Sequence, residues 1–189
     1  MSKRACDYCG NPINTLRADA RFCTTKCRVY AARNAQKAPV LPIEIIEKAR
    51  FLRFSRTKEP YAVSGRRGSS INPATWSTHS GARASEVGVG IGFVLNGDGI
   101  GVIDLDHCID NGVVAPWAQE IIDANAGTFI EISISGTGIH IWGLLESRPG
   151  RLVRDGRNIE VYTTGRYMAL GTPFQGSSAA LLPLKLPTF

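Results

Sequence analysis

The spacing of apolar residues changes several times along the chain. Over residues 43–54, Ile45, Ile46, Ala49 and Leu52 share one face of a helical wheel, which predicts a helix from Ile43 to Phe54. Beyond Val87 the apolar residues run together or alternate between glycine-rich turns. VGVGIGFVL and GIGVIDLDH flank NGDG, TFIEISIS and IHIWGLL flank GTG, and NIEVYTT precedes RYMALG. These read as three strand pairs, the first around a strong hairpin turn. PWAQEIIDANAG reads as a helix, with Pro116 near its start, Ile121 and Ile122 inward and Gly127 past its end. Strands with an intervening helix predict an α+β domain. No repeat or low-complexity segment interrupts it.

Composition changes the picture at the N-terminus. Residues 1–58 hold 13 Lys/Arg against 4 Asp/Glu, whereas residues 59–189 hold 9 against 12. A basic head on a near-neutral body suits an anionic polymer, although a solvated basic arm gives the same count. Of 5 cysteines, all but Cys108 lie in that head. Cys6, Cys9, Cys23 and Cys27 follow C-x2-C-x13-C-x3-C, two close pairs suited to one tetrahedral Zn²⁺. Gly10 follows the first pair, and CRVYAARNAQK reads as a short basic helix. This resembles a treble-clef or ribbon-type zinc finger, too small to fold on its own core, so that metal supplies its stability. KAPVLP reads as a linker and residues 55–75 as a long basic loop. The expected organisation is a four-cysteine zinc finger over 1–37, a linker over 38–44 and a main domain over 45–189. No apolar run is long enough to span a membrane and no signal peptide is apparent, so a cytoplasmic protein without membrane contact is expected.

The chemistry lies in polar residues inside apolar strands. Asp104 and Asp106 alternate with Ile103 and Leu105, so the two carboxylates share a face about 7 Å apart. Such a pair suits Mg²⁺ or Mn²⁺ and in-line phosphoryl transfer, but D-x-D also occurs in glycosyltransferases, nucleases and plain turns. In SISGTGIHIWG, the hydroxyls of Ser133, Ser135 and Thr137 and the backbone at Gly136 and Gly138 have a phosphate-cradle composition just before His140. A glycine-rich hairpin with a backbone-bonded histidine fits that stretch equally well. Glu160 interrupts the apolar strand NIEVYTT, as a third metal-binding carboxylate or as a solvent-facing side chain.

Taken together, GVIDLDHCID, EISISGTGIHIWG and IEVYTTGRYMALG, in that order, resemble the bifunctional primase–polymerase domain of the archaeo-eukaryotic primase superfamily, found in replication proteins of phages, plasmids and prophages. KEPYAVSGRRGSSINPATWSTH resembles the family's N-terminal pattern, and the likeness covers roughly residues 45–175. It implies a catalytic domain with an RNA-recognition-motif-like sheet. It implies that Asp104 and Asp106 bind catalytic metals, that Glu160 completes their site, and that His140 with Ser135 binds the incoming NTP or dNTP. Arg166 is implied as a phosphate or template contact and Lys58 as a weaker one. The partners implied are a single-stranded DNA template and a replicative helicase, either acting in trans or belonging to a further C-terminal region. The chain departs from the family in carrying Glu160 where many members have Asp, and in the longer spacing from Ser135 to His140; Ser133 leaves open which hydroxyl acts. Two other classes remain open: a non-catalytic zinc-dependent DNA-binding replication initiator, and a metal-dependent nuclease. Cys108 and His107 read as structural, and Trp76, Trp117 and Trp142 as core, with Trp76 also placed to stack on a base.

Overall fold

The structure, a computed structural model, describes Arg4, Cys6 and residues 11–13, 15–17, 19–29 and 41–188. The chain divides into two compact units, Met1–Ala38 and Pro39–Phe189. In the first, Cys6 and Ile13 are buried, the Cys6 N–H donates to Asn11 O at 2.8 Å and the Ile13 N–H to Arg4 O at 3.0 Å. A short helix, α1, covers 25–29. Cys9 and the rest of the expected basic helix lie outside the described residues.

The second unit is built of two antiparallel sheets. With strands numbered along the chain, the first has the order Thr164–Ala169 (β11), Gly90–Asn96 (β3), Phe51–Phe54 (β1) and Pro60–Tyr61 (β2). The second has six strands in the order Thr172–Pro173 (β12), Phe129–Ile132 (β7), Ile139–Leu144 (β8), Ile100–Leu105 (β4), Asn158–Tyr162 (β10) and Arg151–Arg154 (β9). Ile109–Asp110 (β5) and Val113–Val114 (β6) form a separate ribbon. Phe51, Phe93, Leu95 and Met168 of the four-stranded sheet pack against Ile100, Val102, Phe129 and Trp142 of the six-stranded sheet. The helix Pro116–Ala124 covers the other face of the six-stranded sheet, laying Ala118, Ile121 and Ile122 on Ile103, Leu105, Ile130, Ile139 and Ile141. Every residue of β4 is therefore buried. Each large apolar side chain so enclosed contributes about 1.5–3 kcal/mol.

The expected mixed fold holds, with sheet predominating, but three local expectations change. The helix expected over 43–54 is only Ile43–Ile46 (α2), and Phe51–Phe54 is strand β1. Phe51, Leu52 and Phe54 are all buried, because β1 has packed residues on both faces. That run imitates a helical stripe. NGDG does not close a hairpin, since β3 and β4 belong to different sheets. Gly97 takes φ 74°, its N–H donates to Thr163 O at 2.8 Å, and Asp98 is held by Lys48 at 3.0 Å and Arg50 at 2.9 Å. The turn is thus a corner between sheets. NIEVYTT and RYMALG likewise do not pair: β10 lies in the six-stranded sheet and β11 in the four-stranded one, with a second corner at Thr163. The helix after Pro116 and the β7–β8 pair around GTG are as expected.

Candidate active site

Register places the polar residues in one row. Glu131 on β7 stands opposite His140 on β8, His140 opposite Asp104 on β4, and Asp104 opposite Glu160 on β10. Directly opposed residues share a face, so all of them lie on the face toward the four-stranded sheet. Nearer the corners, Val102 and Trp142 close the space between the sheets. Beside the row, a cleft of about 250 Å³ is lined by Asp104, Asp106, Ser133, His140, Lys58 and Arg166, with Tyr167, Met168 and Ala169 of β11 opposite.

Asp104 is 7% exposed, and its nearest cation is His140 Nε2, 3.6 Å from its Oδ1. Burial pushes its pKa up to about 6; His140 opposes that rise, and Asp106 and Glu160 add to it. Asp106 lies one residue past β4, half-buried, where its N–H donates to Asn158 O at 2.9 Å and continues the pairing with β10. Glu160 is buried too. Burial favours its protonated form, but the hydrogen bonds from Tyr162 and Arg154, and the charges of Arg166 and Arg154, more than offset this and hold its pKa below the ordinary value. Tyr162 donates to Oε2 at 2.5 Å, Arg154 pairs with Oε1, and Arg166 reaches Oε2 at 3.4 Å while lying over the Tyr162 ring. One oxygen from each of Asp104, Asp106 and Glu160 can be chosen so that all lie within 4.8 Å of one another.

On the opposite side His140 meets Glu131, a residue not singled out from the sequence. Glu131 Oε1 lies 2.8 Å from His140 Nδ1. Burial would lower the pKa of His140; Glu131, and after it Asp104, outweigh that and raise it. The signal for Glu131 is the same as for Glu160, an acid between two isoleucines or an isoleucine and a valine in an apolar strand.

The turn before His140 is more closed than a phosphate cradle. The Gly136 N–H donates to Ser133 O at 2.9 Å and the Gly138 N–H to Ser133 Oγ at 3.2 Å. The Ser133, Ser135 and Thr137 hydroxyls form a chain with separations of 2.9 and 3.0 Å. Ser133 is buried at the cleft, whereas Ser135, Gly136 and Thr137 are exposed. Of the two serines, the structure brings Ser133 to the acids. Lys58 is exposed at the cleft from a tight turn in which Ser55 Oγ accepts from the Thr57 and Glu59 N–H groups, both at 3.2 Å. Its φ of 64° is a left-handed conformation costing a lysine about 1 kcal/mol. Trp76 is half-buried and donates its indole N–H to Ser69 O at 2.7 Å.

In the first unit, the Cys6, Cys23 and Cys27 sulfurs lie within 4.8 Å of one another. The Cys23 N–H donates to Cys6 Sγ at 3.3 Å. Among the described residues no helix is long and apolar enough to cross a membrane.

No family model matches the chain. It is similar to the DNA Primase-polymerase of Nitratiruptor phage NrS-1, with 36% identity over 132 residues, a match covering 64% of this chain and 18% of the phage protein. A phage DNA primase-polymerase is thus a relative of this chain over most of its length.

Proposed function

We propose that the chain performs template-directed nucleotidyl transfer on DNA, as a primase–polymerase domain of the archaeo-eukaryotic primase type. The observation that carries this reading is the convergence of Asp104, Asp106 and Glu160 beside His140 on one sheet face. The similarity to the phage enzyme supports it. The residues fit a divalent cation: Asp104 is crowded by two other acids and, among the described residues, lacks a close lysine or arginine partner, and burial above all, with those acids adding to it, raises its pKa. Asp104, Asp106 and Glu160 would hold Mg²⁺ or Mn²⁺, which when bound lowers the pKa of an attacking hydroxyl and stabilises a leaving phosphate.

The chain's own residues do the rest. His140, Ser133, Lys58 and Arg166 line the cleft and together offer donors and positive charge to a nucleoside triphosphate. A 3′-hydroxyl attacks the α-phosphorus and gives up its proton to solvent, the bond from that phosphorus to the β-phosphate bridge breaks, and pyrophosphate leaves. Arg166, which lines the cleft and now lies on Glu160, would meet substrate phosphates as well. In the basic head, Cys6, Cys9, Cys23 and Cys27 would hold one structural Zn²⁺; the cluster of three of these thiols supports that assignment.

The test is incubation with single-stranded DNA, Mg²⁺ or Mn²⁺ and labelled nucleotides, with and without an annealed primer. Template-dependent extension is expected, falling on the order of 10³-fold or more in Asp104→Ala and in Asp106→Ala. Shortened strands would replace this reading with a nuclease. DNA binding without synthesis, indifferent to both substitutions, would replace it with an initiator.

A further inference from the structure

The two ring nitrogens of His140 face different neighbours. Nε2 points along the sheet to Asp104 and the cleft, and Nδ1 points away from it to Glu131. Glu131 is 1% exposed and both of its oxygens have partners. Oε1 accepts from the Trp142 indole at 3.1 Å as well as meeting Nδ1 at 2.8 Å, and Oε2 accepts from the Gly171 N–H at 2.9 Å. An indole N–H and a backbone N–H can only donate, and a carboxylate can only accept. The matching arrangement is therefore a third donor, Nδ1–H, toward Oε1.

The surroundings are shaped for this carboxylate. A Cβ on Gly171 would stand 1.8 Å from Ile132 O, so only glycine brings its N–H to Oε2. Trp142 shares the face of β8 with His140, two residues on, and is itself fully buried. A leucine at 131 would present no acceptor to these three donors, and all three contacts would fail.

We infer that Glu131 is a positioning residue for His140: by accepting Nδ1–H it fixes the ring plane and makes Nε2 the atom offered to a nucleotide phosphate in the cleft. The identity of that ligand rests on the nucleotidyl-transfer reading; the hydrogen bond does not.

The two parts are tested separately. The chain has 3 histidines, His79, His107 and His140, so ¹⁵N imidazole spectra are assignable with a His140→Gln control. Wild-type protein is expected to show His140 with a protonated, hydrogen-bonded Nδ1, and Glu131→Leu, which removes both acceptor oxygens, is expected to lose that signature. In the same variant KM for the nucleotide is expected to rise on the order of 10- to 100-fold, the range for losing a partner that orients a histidine. The kcat and the Kd for single-stranded DNA should change far less, a split that general loosening of the fold would not give. Glu131→Asp, which keeps the acceptor, should recover part of the loss. A wild-type spectrum with a bare Nδ1 overturns the inference, and it decides the matter even if Glu131→Leu does not fold. A folded Glu131→Leu with an unchanged His140 spectrum and unchanged KM also overturns it. If the protein uses no nucleotide at all, the phosphate half falls with the proposed function, and the spectrum still decides the role of Glu131.

Discussion

Three buried carboxylates in one row are accommodated in three different ways. Glu131 meets three donors and Glu160 is met by Arg154, Arg166 and Tyr162, whereas Asp104, among the described residues, has no ion-pair partner but His140, at 3.6 Å. Burial, above all, therefore lifts Asp104 from an ordinary 3.8 to about 6. Between those values the folded chain keeps a proton that the unfolded chain has lost, so this group makes stability fall as pH rises through that window. The penalty is complete above pH 6 and amounts to about 3 kcal/mol. Asp104→Asn should match wild type in urea unfolding at pH 4 without divalent cations and exceed it at pH 7.5 by up to about that amount. Added Mg²⁺ should stabilise wild type more than the variant. A difference independent of pH would remove the assignment. Asp104, His140 and Glu160 were legible in the sequence because each is polar inside an apolar strand, and Asp106 because it follows Asp104 at strand spacing just past the end of β4. Glu131 carried the same mark, but its meaning depends on register: only the β7–β8 pairing puts it opposite His140. The choice of Ser133 over Ser135 depends likewise on how the turn closes, which the hydroxyl pattern does not encode.

At the level of elements, turn chemistry was readable and pairing was not. NGDG has the glycines of a hairpin, and Gly97 and Gly99 both adopt positive φ. Whether such a turn folds a strand back or sends it to another sheet is decided by distant partners, here β11 and β1 for β3, and β8 and β10 for β4. The two corners are tied together through Thr163, which is 1% exposed. Its carbonyl accepts from Gly97, while its hydroxyl accepts from the Arg148 N–H at 3.0 Å and donates to Arg148 O at 2.9 Å. Thr163→Val keeps the shape and removes both hydroxyl bonds. It should cost about 1–3 kcal/mol in chemical unfolding. A loss under about 0.5 kcal/mol would mean that Arg148 finds other partners and the corner does not depend on the hydroxyl.

For the whole molecule, clustered cysteines and a basic head pointed to a separate N-terminal unit. The pairing of two sheets did not show, because both present the same buried apolar strands. Neither hydrophobic cluster of the second unit includes a described residue before Leu41. Removing residues 1–38 should therefore leave cooperative unfolding intact. If the basic head grips the template or the first nucleotide, that truncation should lower de novo priming about tenfold or more, the scale of losing a few phosphate contacts. Extension of an annealed primer should be largely spared, since its duplex offers phosphates of its own. Equal loss of both would assign the head a supporting role only. The position of β4 has a consequence in time. Its neighbours β8 and β10 both come later in the chain, so during synthesis Asp104 and Asp106 leave the ribosome well before the strands that flank them. A nascent chain that stops short of Glu160 has no acidic trio, and assembly waits on contacts between distant segments, which slows folding. The acidic trio cannot exist before Glu160 is made, and of the strands in its sheet β12 alone is made later.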